Sequence, residues 1–395
     1  MGSKRNIAII CYKYPPEYSG YGKQLKSVIS KMNNDHLNYK LTILTAFKSS
    51  KTEANTFLDI VPLGTDFTQK KSIVFYVFCL RVLLWLILNR KKYSIIHCIK
   101  AGPEAVVANI VSKLLDKRLI VKVAQDELSD REVKEATSLK KVSRISRQIL
   151  LRTVDNFIAI SEEIDHNLQK RVSKKSKIIK IPNGVDDKRF APVDCTTKRA
   201  IRRNLELPVE RVLILFAGAI NKRKGIVDLL DAVQKVKTKN HYSLVICGPI
   251  LEDINFEERV QEINKTNKKI KIIYKGVVTD IEKYMAASDI FVLPSYSEGL
   301  PNVLLEAGST GLALITTDIG GSRDIVIDGR NGFVIPTNSS DLLAKKMELL
   351  IDNEDIRERM GDETRSVIEN NFSLEFVAKE YEYLYSKLFC ENKKK

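Results

Sequence analysis

Cysteine and histidine are scarce in this chain of 395 residues, and neither residue type is clustered. The six cysteines are scattered without a C-x-x-C pair, and the four histidines show no metal-ligand spacing. This distribution argues against a disulfide scaffold and against a zinc site. It is typical of buried free thiols in a reducing compartment, so we expect a cytoplasmic protein that binds no metal.

The amino-terminal pattern does not predict a secretory leader, and long apolar runs are scarce. Residues 1–5 lead directly into a strand pattern, without the apolar core of a signal peptide. The apolar run 73–88 has 16 residues and includes Arg81, whereas a helix that spans a membrane needs about 20 apolar residues. Three interpretations remain: a buried helix, an interfacial helix with the basic run 90–92 at lipid headgroups, or a true span.

A dinucleotide fingerprint is missing as well, because no G-x-G-x-x-G follows the first predicted strand, and this argues against an NAD enzyme. Positive charge is in excess: the net charge is +16, which predicts an anionic partner. The basic residues cluster at 140–152, 170–177 and 393–395, without a nucleic-acid-binding motif or interleaved aromatic residues. We therefore expect contact with an anionic membrane or a phosphorylated substrate rather than nucleic acid, with a solvated surface as the plain alternative.

Short apolar runs alternate with helical patterns through both halves of the chain, which is typical of βαβ units. A turn signal at 182–184 is followed by a polar stretch at 186–204, which we interpret as a linker. The pattern predicts an α/β protein with two doubly wound Rossmann-like domains facing each other across a cleft, with ligands at the carboxyl ends of the strands. Strands are expected at 6–11, 41–45, 93–97, 119–123, 156–160, 177–181, 212–216, 243–247, 270–274, 290–293, 313–316 and 333–335.

The most informative stretch is 295–308, which places Glu298 and Glu306 eight positions apart across a loop-to-helix junction. Pro301 suits the first helical position, because its missing N–H would have no partner inside the helix. Glu306 would then lie near the start of the helix, and Glu298 in the loop before it. Two glutamates at this spacing are by themselves more often solvated than functional, so the surrounding residues decide.

The start of this predicted helix offers the backbone N–H groups of Asn302, Val303 and Leu304 to an anion, at the positive end of the helix dipole. Carboxylates repel a phosphate but accept hydrogen bonds well from vicinal hydroxyls. A ligand with hydroxyls on both sides of a diphosphate fits this pattern. The stretch therefore predicts a nucleotide-sugar site, with ribose at one end of the diphosphate and a hexose at the other.

The run 295–308, continued by the Gly320-Gly321 turn and by 328–334, resembles the retaining glycosyltransferases of family 4, with their E-x7-E motif and GT-B fold. Loop, helix, strand and two glycine turns occur in the family's order and spacing. The resemblance implies an acceptor-side domain at 1–190, a donor-binding domain at 191–372 and a C-terminal helix at 373–395 that crosses back to the first domain. It also implies front-face substitution that needs no protein nucleophile and no divalent metal.

The segment 218–225 resembles the family's G-R-x-x-x-x-K-G, whose Arg and Lys hold the departing diphosphate. Lys224 falls on the Lys position, but Ala219 stands at the Arg position. Arg223 is the candidate to compensate, although adjacent side chains on a helix point in different directions. The loop 14–22 resembles the family's Pro-Pro-x-x-Gly-Gly loop, with Gly20 offering its N–H to a phosphate.

His97 closes a predicted strand, as in the family's D-x-x-H pattern, and is a candidate on the acceptor side, with a satisfied structural histidine as the alternative. Ile99 replaces the family's second histidine, and Gln125 or Asp126 is the candidate for the next acceptor-side position. Strand-end turns at Gly248 and Val277 resemble the family's nucleobase wall.

The predicted enzyme therefore moves a hexose-type sugar from a UDP- or GDP-linked donor to a glycan or lipid-linked acceptor, in cell-surface polysaccharide or glycoconjugate synthesis. We expect it at the cytoplasmic face of a membrane, in contact through 73–92 and the basic clusters. The alternatives are a non-catalytic nucleotide-sugar or polyanion-binding protein, and an epimerase or phosphorylase on the same fold. The predicted catalytic residues are Glu298, Lys224 and His97, and the predicted donor-binding residues are Gly20, Arg223, Lys224, Gly248, Val277, Glu298, Gly299, Leu300, Asn302, Val303, Leu304 and Glu306.

Overall fold

The computed structural model describes residues 5–17, 19–32, 39–47, 57–64, 71–124 and 148–391. Two compact units divide the chain, one formed by Met1–Asn183 with Val377–Lys395 and the other by Gly184–Phe376. The acceptor-side candidates Gln125 and Asp126 lie outside the described residues, as do most of the basic cluster at 140–152 and the tail 393–395.

The first unit contains a parallel seven-stranded sheet with the order β3-β2-β1-β4-β5-β6-β7. Its strands are β1 (Arg5–Ile10), β2 (Tyr39–Thr45), β3 (Leu58–Pro62), β4 (Ile95–Cys98), β5 (Arg118–Val123), β6 (Asn156–Ala159) and β7 (Lys177–Lys180). Its helices are α1 (Gly20–Lys31), α2 (Lys71–Leu88), α3 (Pro103–Leu114) and α4 (Glu162–Gln169), with a helical turn at 148–153. The sequence pattern missed β3, because this edge strand is only half-buried and ends on a proline.

The second unit contains a parallel six-stranded sheet with the order β10-β9-β8-β11-β12-β13. Its strands are β8 (Val212–Ala217), β9 (Tyr242–Cys247), β10 (Ile270–Gly276), β11 (Ile290–Leu293), β12 (Ala313–Thr317) and β13 (Gly332–Ile335). Its helices are α5 (Cys195–Asn204), α6 (Ile226–Lys235), α7 (Phe256–Thr266), α8 (Ile281–Ala287), α9 (Asn302–Ser309), α10 (Ser322–Ile325), α11 (Ser340–Asp352) and α12 (Glu354–Asn371). A last helix, α13 (Leu374–Glu391), belongs to the first unit from Val377 onward.

Strand order reverses between β1 and β4 in the first sheet and between β8 and β11 in the second. Helices cover both faces of such sheets, which explains why strands such as β11 are continuously apolar and fully buried. Loops that leave the carboxyl ends of two neighbouring strands at a reversal diverge and leave a crevice between them. In the second unit this crevice lies between the loops that follow β8 and β11. The predicted doubly wound α/β fold is confirmed.

The predicted linker at 186–204 is wrong over its second half, because α5 occupies 195–204. Asp194 caps this helix by accepting hydrogen bonds from the N–H groups of Thr196 and Thr197, at 2.9 and 3.0 Å. An aspartate in front of a helix is the usual start signal. The charged helix carries few apolar residues, so its composition is that of a linker.

The thiol prediction holds for four cysteines and fails for two, since Cys195 and Cys390 are exposed rather than buried. Cys195 is the first residue of α5 and Cys390 lies near the end of α13, where helix ends meet the surface.

The apolar run at 73–88 lies in α2, which is not simply buried. Phe78, Val82 and Leu86 are fully buried on one side, while other apolar residues of the helix are exposed. None of the helices in the described ranges has the length and apolar character that a membrane crossing requires.

Candidate functional site

A short turn after β8 brings two cations to the crevice of the second sheet. The 3-10 turn Lys222–Lys224 is capped by Asn221, whose side chain accepts a hydrogen bond from the Lys224 N–H at 3.0 Å. Gly225 follows with a positive φ of 69°, and a Cβ on it would lie 1.9 Å from the carbonyl oxygen of Pro294. Only glycine permits this approach, which sets the loop after β8 directly against the loop after β11.

Lys224 and Glu298 form an ion pair at this junction. The Lys224 Nζ lies 2.6 Å from Glu298 Oε1, and the two side chains are only 14% and 12% exposed. The Arg223 guanidinium reaches the same oxygen at 3.3 Å and donates to the Ser297 carbonyl at 2.7 Å. Although Arg223 and Lys224 are adjacent, the tight turn lets both side chains converge on one carboxylate.

The Gly320-Gly321 turn packs against the backbone of the Glu298 loop. Gly320 has a φ of 45°, and a Cβ there would lie 2.0 Å from the carbonyl oxygen of Glu298. The N–H of Gly321 donates to the carbonyl of Gly299 at 2.6 Å. The close approach explains why glycine is needed at position 320, and the two contacts together fix the backbone that carries the Glu298 carboxylate.

Tyr296 ties the same loop to the turn after β8, a link that the sequence analysis missed. Its N–H donates to the carbonyl of Arg223 at 2.8 Å, and its hydroxyl donates to Asp228 Oδ2 at 2.5 Å. The hydrogen bond to the Asp228 carboxylate, aided by burial, raises the pKa of Tyr296 to about 12. The tyrosine therefore stays neutral and acts as a strut between α6 and the site.

Helix α9 begins one residue later than predicted. Pro301 is its N-cap rather than its first helical residue, and the Pro301 carbonyl accepts hydrogen bonds from the N–H groups of Leu304 and Leu305, at 3.0 and 3.4 Å. The Leu304 N–H is thus already used, and the Leu304 side chain is fully buried. This hydrogen bond argues against the predicted role of the Leu304 N–H as a donor to a bound anion.

The remaining predicted residues of α9 share one side of the helix. Asn302, Val303 and Glu306 are all half-buried. Residues three and four positions apart on a helix are neighbours, so the Glu306 carboxylate lies beside the first turn. Gly299 and Leu300, which precede the helix, are buried and serve as its support.

Three glycine turns line the neighbouring strand ends. Gly218 donates its N–H to the Cys247 carbonyl at 2.9 Å, and Gly248 donates to the Gly276 carbonyl at 2.7 Å. Gly248 lies so close to Gly218 that a Cβ would come within 1.9 Å of its carbonyl oxygen. The structure thus places Gly248 on the same sheet edge as the ion pair, with Val277 exposed just beyond β10.

Gly20 lies in the first unit, where it is exposed as the first residue of α1. Ser19, at the family's first glycine position, caps this helix by accepting a hydrogen bond from the Gly22 N–H at 3.0 Å. The glycine that the packing demands is Gly22, since a Cβ there would lie 2.0 Å from the Lys13 carbonyl oxygen.

The structure does not support His97 as a catalytic residue. It is fully buried within β4, its Nδ1 is hydrogen-bonded to the Tyr385 hydroxyl of α13 at 2.7 Å, and burial lowers its pKa to about 3. Its Nε2 has no hydrogen-bond partner among the described residues. A neutral imidazole enclosed in this way cannot reach a substrate, so the structural alternative is favoured.

The sequence analysis also missed Lys122, a buried cation two strands from β1. Its Nζ donates to Asn183 Oδ1 at 3.1 Å and lies 5.7 Å from the centre of the Tyr381 ring. Burial lowers its pKa to about 8. The sequence gives little indication of a buried lysine here, because a single lysine in an apolar strand usually lies at an exposed edge.

Within the described ranges, no group of three or more His, Cys, Asp or Glu side chains is placed to hold a metal ion.

Known proteins resemble this chain over nearly its whole length. The family model for Glycosyl transferases group 1 matches residues 197–367, and the model for Glycosyltransferase Family 4 matches residues 35–189. The capsular polysaccharide biosynthesis glycosyltransferase CapM of Staphylococcus aureus is 24% identical, over 88% of this chain and 90% of its own length. The UDP-Gal:alpha-D-GlcNAc-diphosphoundecaprenol alpha-1,3-galactosyltransferase of Escherichia coli is 25% identical, over 74% of each chain.

Solved structures agree on the fold. Anabaena HepE, crystallised with UDP-glucose, matches with a TM-score of 0.73 at 17% identity, over 96% of this chain and 99% of its own. The sucrose-phosphate synthase of Thermosynechococcus elongatus matches with a TM-score of 0.80 at 19% identity, over 98% and 100%. These similarities show the GT-B fold.

Proposed function

We propose a donor, a site and a reaction for this chain, which belongs to the family 4 glycosyltransferases, as its two matching family models show. Its relatives include enzymes of capsular and cell-surface polysaccharide synthesis. The proposed reaction moves a hexose from a nucleoside-diphosphate sugar to an acceptor hydroxyl, with retention at the anomeric carbon.

One observation carries this proposal: the Lys224–Glu298 ion pair at the carboxyl edge of the second sheet, 2.6 Å apart and mostly shielded from water. A cation and a carboxylate are the two groups that a sugar diphosphate needs. Lys224 binds the diphosphate oxygens, and Glu298 accepts hydrogen bonds from hydroxyls of the sugar. Without donor, Lys224 and Glu298 pair with each other. When the donor inserts between them, its contacts with both side chains offset the cost of separating the pair.

Arg223 supplies a second cation for the diphosphate. Its guanidinium already shares the Glu298 oxygen with Lys224 and is half-exposed, so it can turn toward a phosphate. A guanidinium is well shaped for two phosphate oxygens. This assignment gives Arg223 the role that Ala219 cannot perform.

Helix α9 binds the nucleoside end of the donor in this proposal. The N–H groups of Asn302 and Val303 face the diphosphate at the positive end of the helix dipole. Glu306, on the same side of the helix, accepts hydrogen bonds from the ribose hydroxyls. Gly248 and Val277, at the neighbouring strand ends, flank the base.

The rate comes from stabilising charge on the departing diphosphate, since preorganised cations at the leaving group are usually the largest single contribution to catalysis. Lys224 and Arg223 perform this task without a divalent metal. The leaving phosphate helps to remove the proton from the acceptor hydroxyl, which attacks from the face that the diphosphate leaves.

A UDP-linked hexose and a lipid-linked acceptor are the proposed substrates. The E. coli relative is named for transfer from UDP-Gal to a diphosphoundecaprenol-linked sugar, and the HepE crystal contains UDP-glucose. The strongly positive chain also suits an acceptor that carries phosphate at a membrane.

The deciding experiment incubates the purified protein with a panel of UDP- and GDP-sugars and measures free nucleotide, with and without a lipid-diphosphate acceptor. The proposal is supported if the wild type releases UDP and the variants Lys224→Ala and Glu306→Gln do not. Donor binding without release in any mixture would identify a non-catalytic binding protein. A changed sugar without acceptor would identify an epimerase, and a requirement for inorganic phosphate a phosphorylase.

A further inference from the structure

Helix α2 is apolar on two opposite faces, and the core of the first unit needs only one of them. Phe78, Val82 and Leu86 are fully buried against the unit. On the opposite face, successive apolar residues recur every three or four positions and are between 47% and 77% exposed. These outward residues are Ile73, Tyr76, Leu80, Leu84 and Leu88.

An ordinary surface helix carries polar residues on its outer face. On α2 the charged residue next to the apolar row is Arg81, and its guanidinium donates hydrogen bonds to the carbonyls of Leu63 and Gly64, at 3.3 and 2.5 Å. Arg81 therefore ties the helix to the segment after β3 instead of making its outer face polar.

Helix α3 extends the apolar surface. It packs beside α2 and exposes Ile110 and Leu114, by 51% and 72%. Both helices return from the carboxyl to the amino end of the parallel sheet, so their C-terminal ends lie at the same edge. In the described ranges, seven of the 14 exposed large apolar side chains belong to these two helices. We call this set the docking face: Ile73, Tyr76, Leu80, Leu84, Leu88, Ile110 and Leu114.

Cations border the docking face at that edge. Arg90, Lys91 and Lys92 follow directly after α2, and all three are exposed. A second copy of this chain is a poor partner for such a face, because two molecules of net charge +16 repel each other. A better partner has an apolar layer, which would contact the exposed apolar side chains, and negative charges beside that layer, which would pair with residues 90–92.

We propose that the docking face binds the surface of an anionic lipid bilayer, with its apolar side chains at the acyl boundary and residues 90–92 among the headgroups. This inference deepens the proposed function, since it would hold the enzyme where a lipid-linked acceptor lies. The binding itself does not depend on catalysis, so the two can fail separately.

Flotation of the full chain with vesicles tests the proposal, using phosphatidylcholine alone and phosphatidylcholine with added phosphatidylglycerol. Wild type is expected to float with the anionic vesicles, more strongly at low salt. The double variant Leu80→Glu/Leu84→Glu removes apolar contact and is expected to weaken binding by about tenfold or more for each leucine. Lys91→Gln/Lys92→Gln is expected to lose about fivefold per residue on anionic vesicles.

Tyr383→Glu is the matched control, because it also adds a carboxylate at an exposed apolar position of the first unit, on α13, which is not one of the two helices of the docking face. It is expected to float like wild type. Circular dichroism melting checks that each variant is folded, and Leu80→Ser/Leu84→Ser replaces the glutamate pair if that pair unfolds.

Three results would overturn the proposal. Wild type that stays in solution with anionic vesicles at low salt is one, and a leucine variant that floats like wild type is another. The third is a concentration-dependent dimer that Leu80→Glu/Leu84→Glu abolishes, which would assign the face to a second copy. Vesicle binding by a protein that turns over no nucleotide sugar would leave the docking face standing and refute the proposed function alone.

Discussion

At the carboxyl end of the second sheet, Lys224 and Glu298 meet at the surface of a crevice, paired with each other and partly open to solvent. At the corresponding end of the first sheet, His97 and Lys122 lie beneath α13, and burial lowers the pKa of both side chains. The two units share one topology and both place titratable residues near strand ends. The two ends differ in whether another helix covers the polar side chains, as α13 does for His97 and Lys122.

The largest expected effect is at the ion pair of the second unit. Lys224→Ala removes the cation that we propose binds the leaving diphosphate, and kcat/KM for nucleotide release is expected to fall by about 10²–10³. Steady-state release of UDP from the preferred donor measures it.

Lys222→Ala is the control for that variant, because Lys222 is an exposed lysine of the same turn whose backbone N–H, not its side chain, bonds to Glu252. It is expected to match wild type. Equal losses in both variants would show a general charge effect instead of a specific site.

Substitution of His97, which α13 covers, is expected to change stability instead of activity. His97→Ala removes a buried hydrogen bond to Tyr385 and leaves a small cavity, which should lower the free energy of unfolding by about 2–3 kcal/mol. Urea unfolding followed by circular dichroism measures this change, and kcat well below the melting temperature should stay close to wild type.

His166→Ala, on the exposed surface of α4, is the matched substitution and should change stability by less than about 0.5 kcal/mol. A large loss of kcat in folded His97→Ala would return His97 to the catalytic residues and remove the distinction between the two sheet ends.

Acid should sharpen the contrast. The pKa of His97 is about 3 in the folded chain, whereas an unfolded histidine titrates near about 6.5. Between these values the unfolded chain binds a proton that the folded chain does not. The His97 contribution therefore lowers stability as pH falls from about 6.5 toward 3, by at most about 1.4 kcal/mol per pH unit.

His97→Gln should lack this contribution. Unfolding curves of wild type and variant, recorded between about pH 7 and pH 5, should converge as the pH falls. Curves that stay parallel would show that His97 takes up its proton at the same pH in the folded and the unfolded chain.

The smallest expected effect concerns Arg223. Arg223→Ala should reduce kcat/KM by about tenfold, because its guanidinium is half-exposed and shares its task with Lys224. The double variant Arg223→Ala/Ala219→Arg places a guanidinium at the family's usual position and should restore most of the loss. No loss in the single variant, alongside a large loss in Lys224→Ala, would leave Lys224 as the sole diphosphate cation.

Local motifs made the candidate site of the second unit predictable. The stretches 218–225 and 295–308 carry their own turn and helix-start signals, and parallel topology alone brings the ends of β8 and β11 together. The details that failed depend on backbone geometry: Pro301 caps α9 instead of starting it, and a 3-10 turn lets Arg223 and Lys224 reach one oxygen.

The surroundings of His97 in the first unit were less predictable, because the contact that decides them is distant in sequence. His97 and Tyr385 are 288 positions apart, and the sequence around His97 does not indicate that α13 packs over it. The same reason explains α2, whose two apolar faces look alike in the sequence until the core is seen to cover only one.

Because Gly225 lies against the Pro294 carbonyl, the loops after β8 and β11 constrain each other's backbone and form one structural unit. An engineer who grafts the β8 loop of a relative onto this scaffold would set a foreign backbone against a native one with no room to adjust. Chimeras intended to change the sugar should therefore exchange both segments together, with the tyrosine strut that joins them.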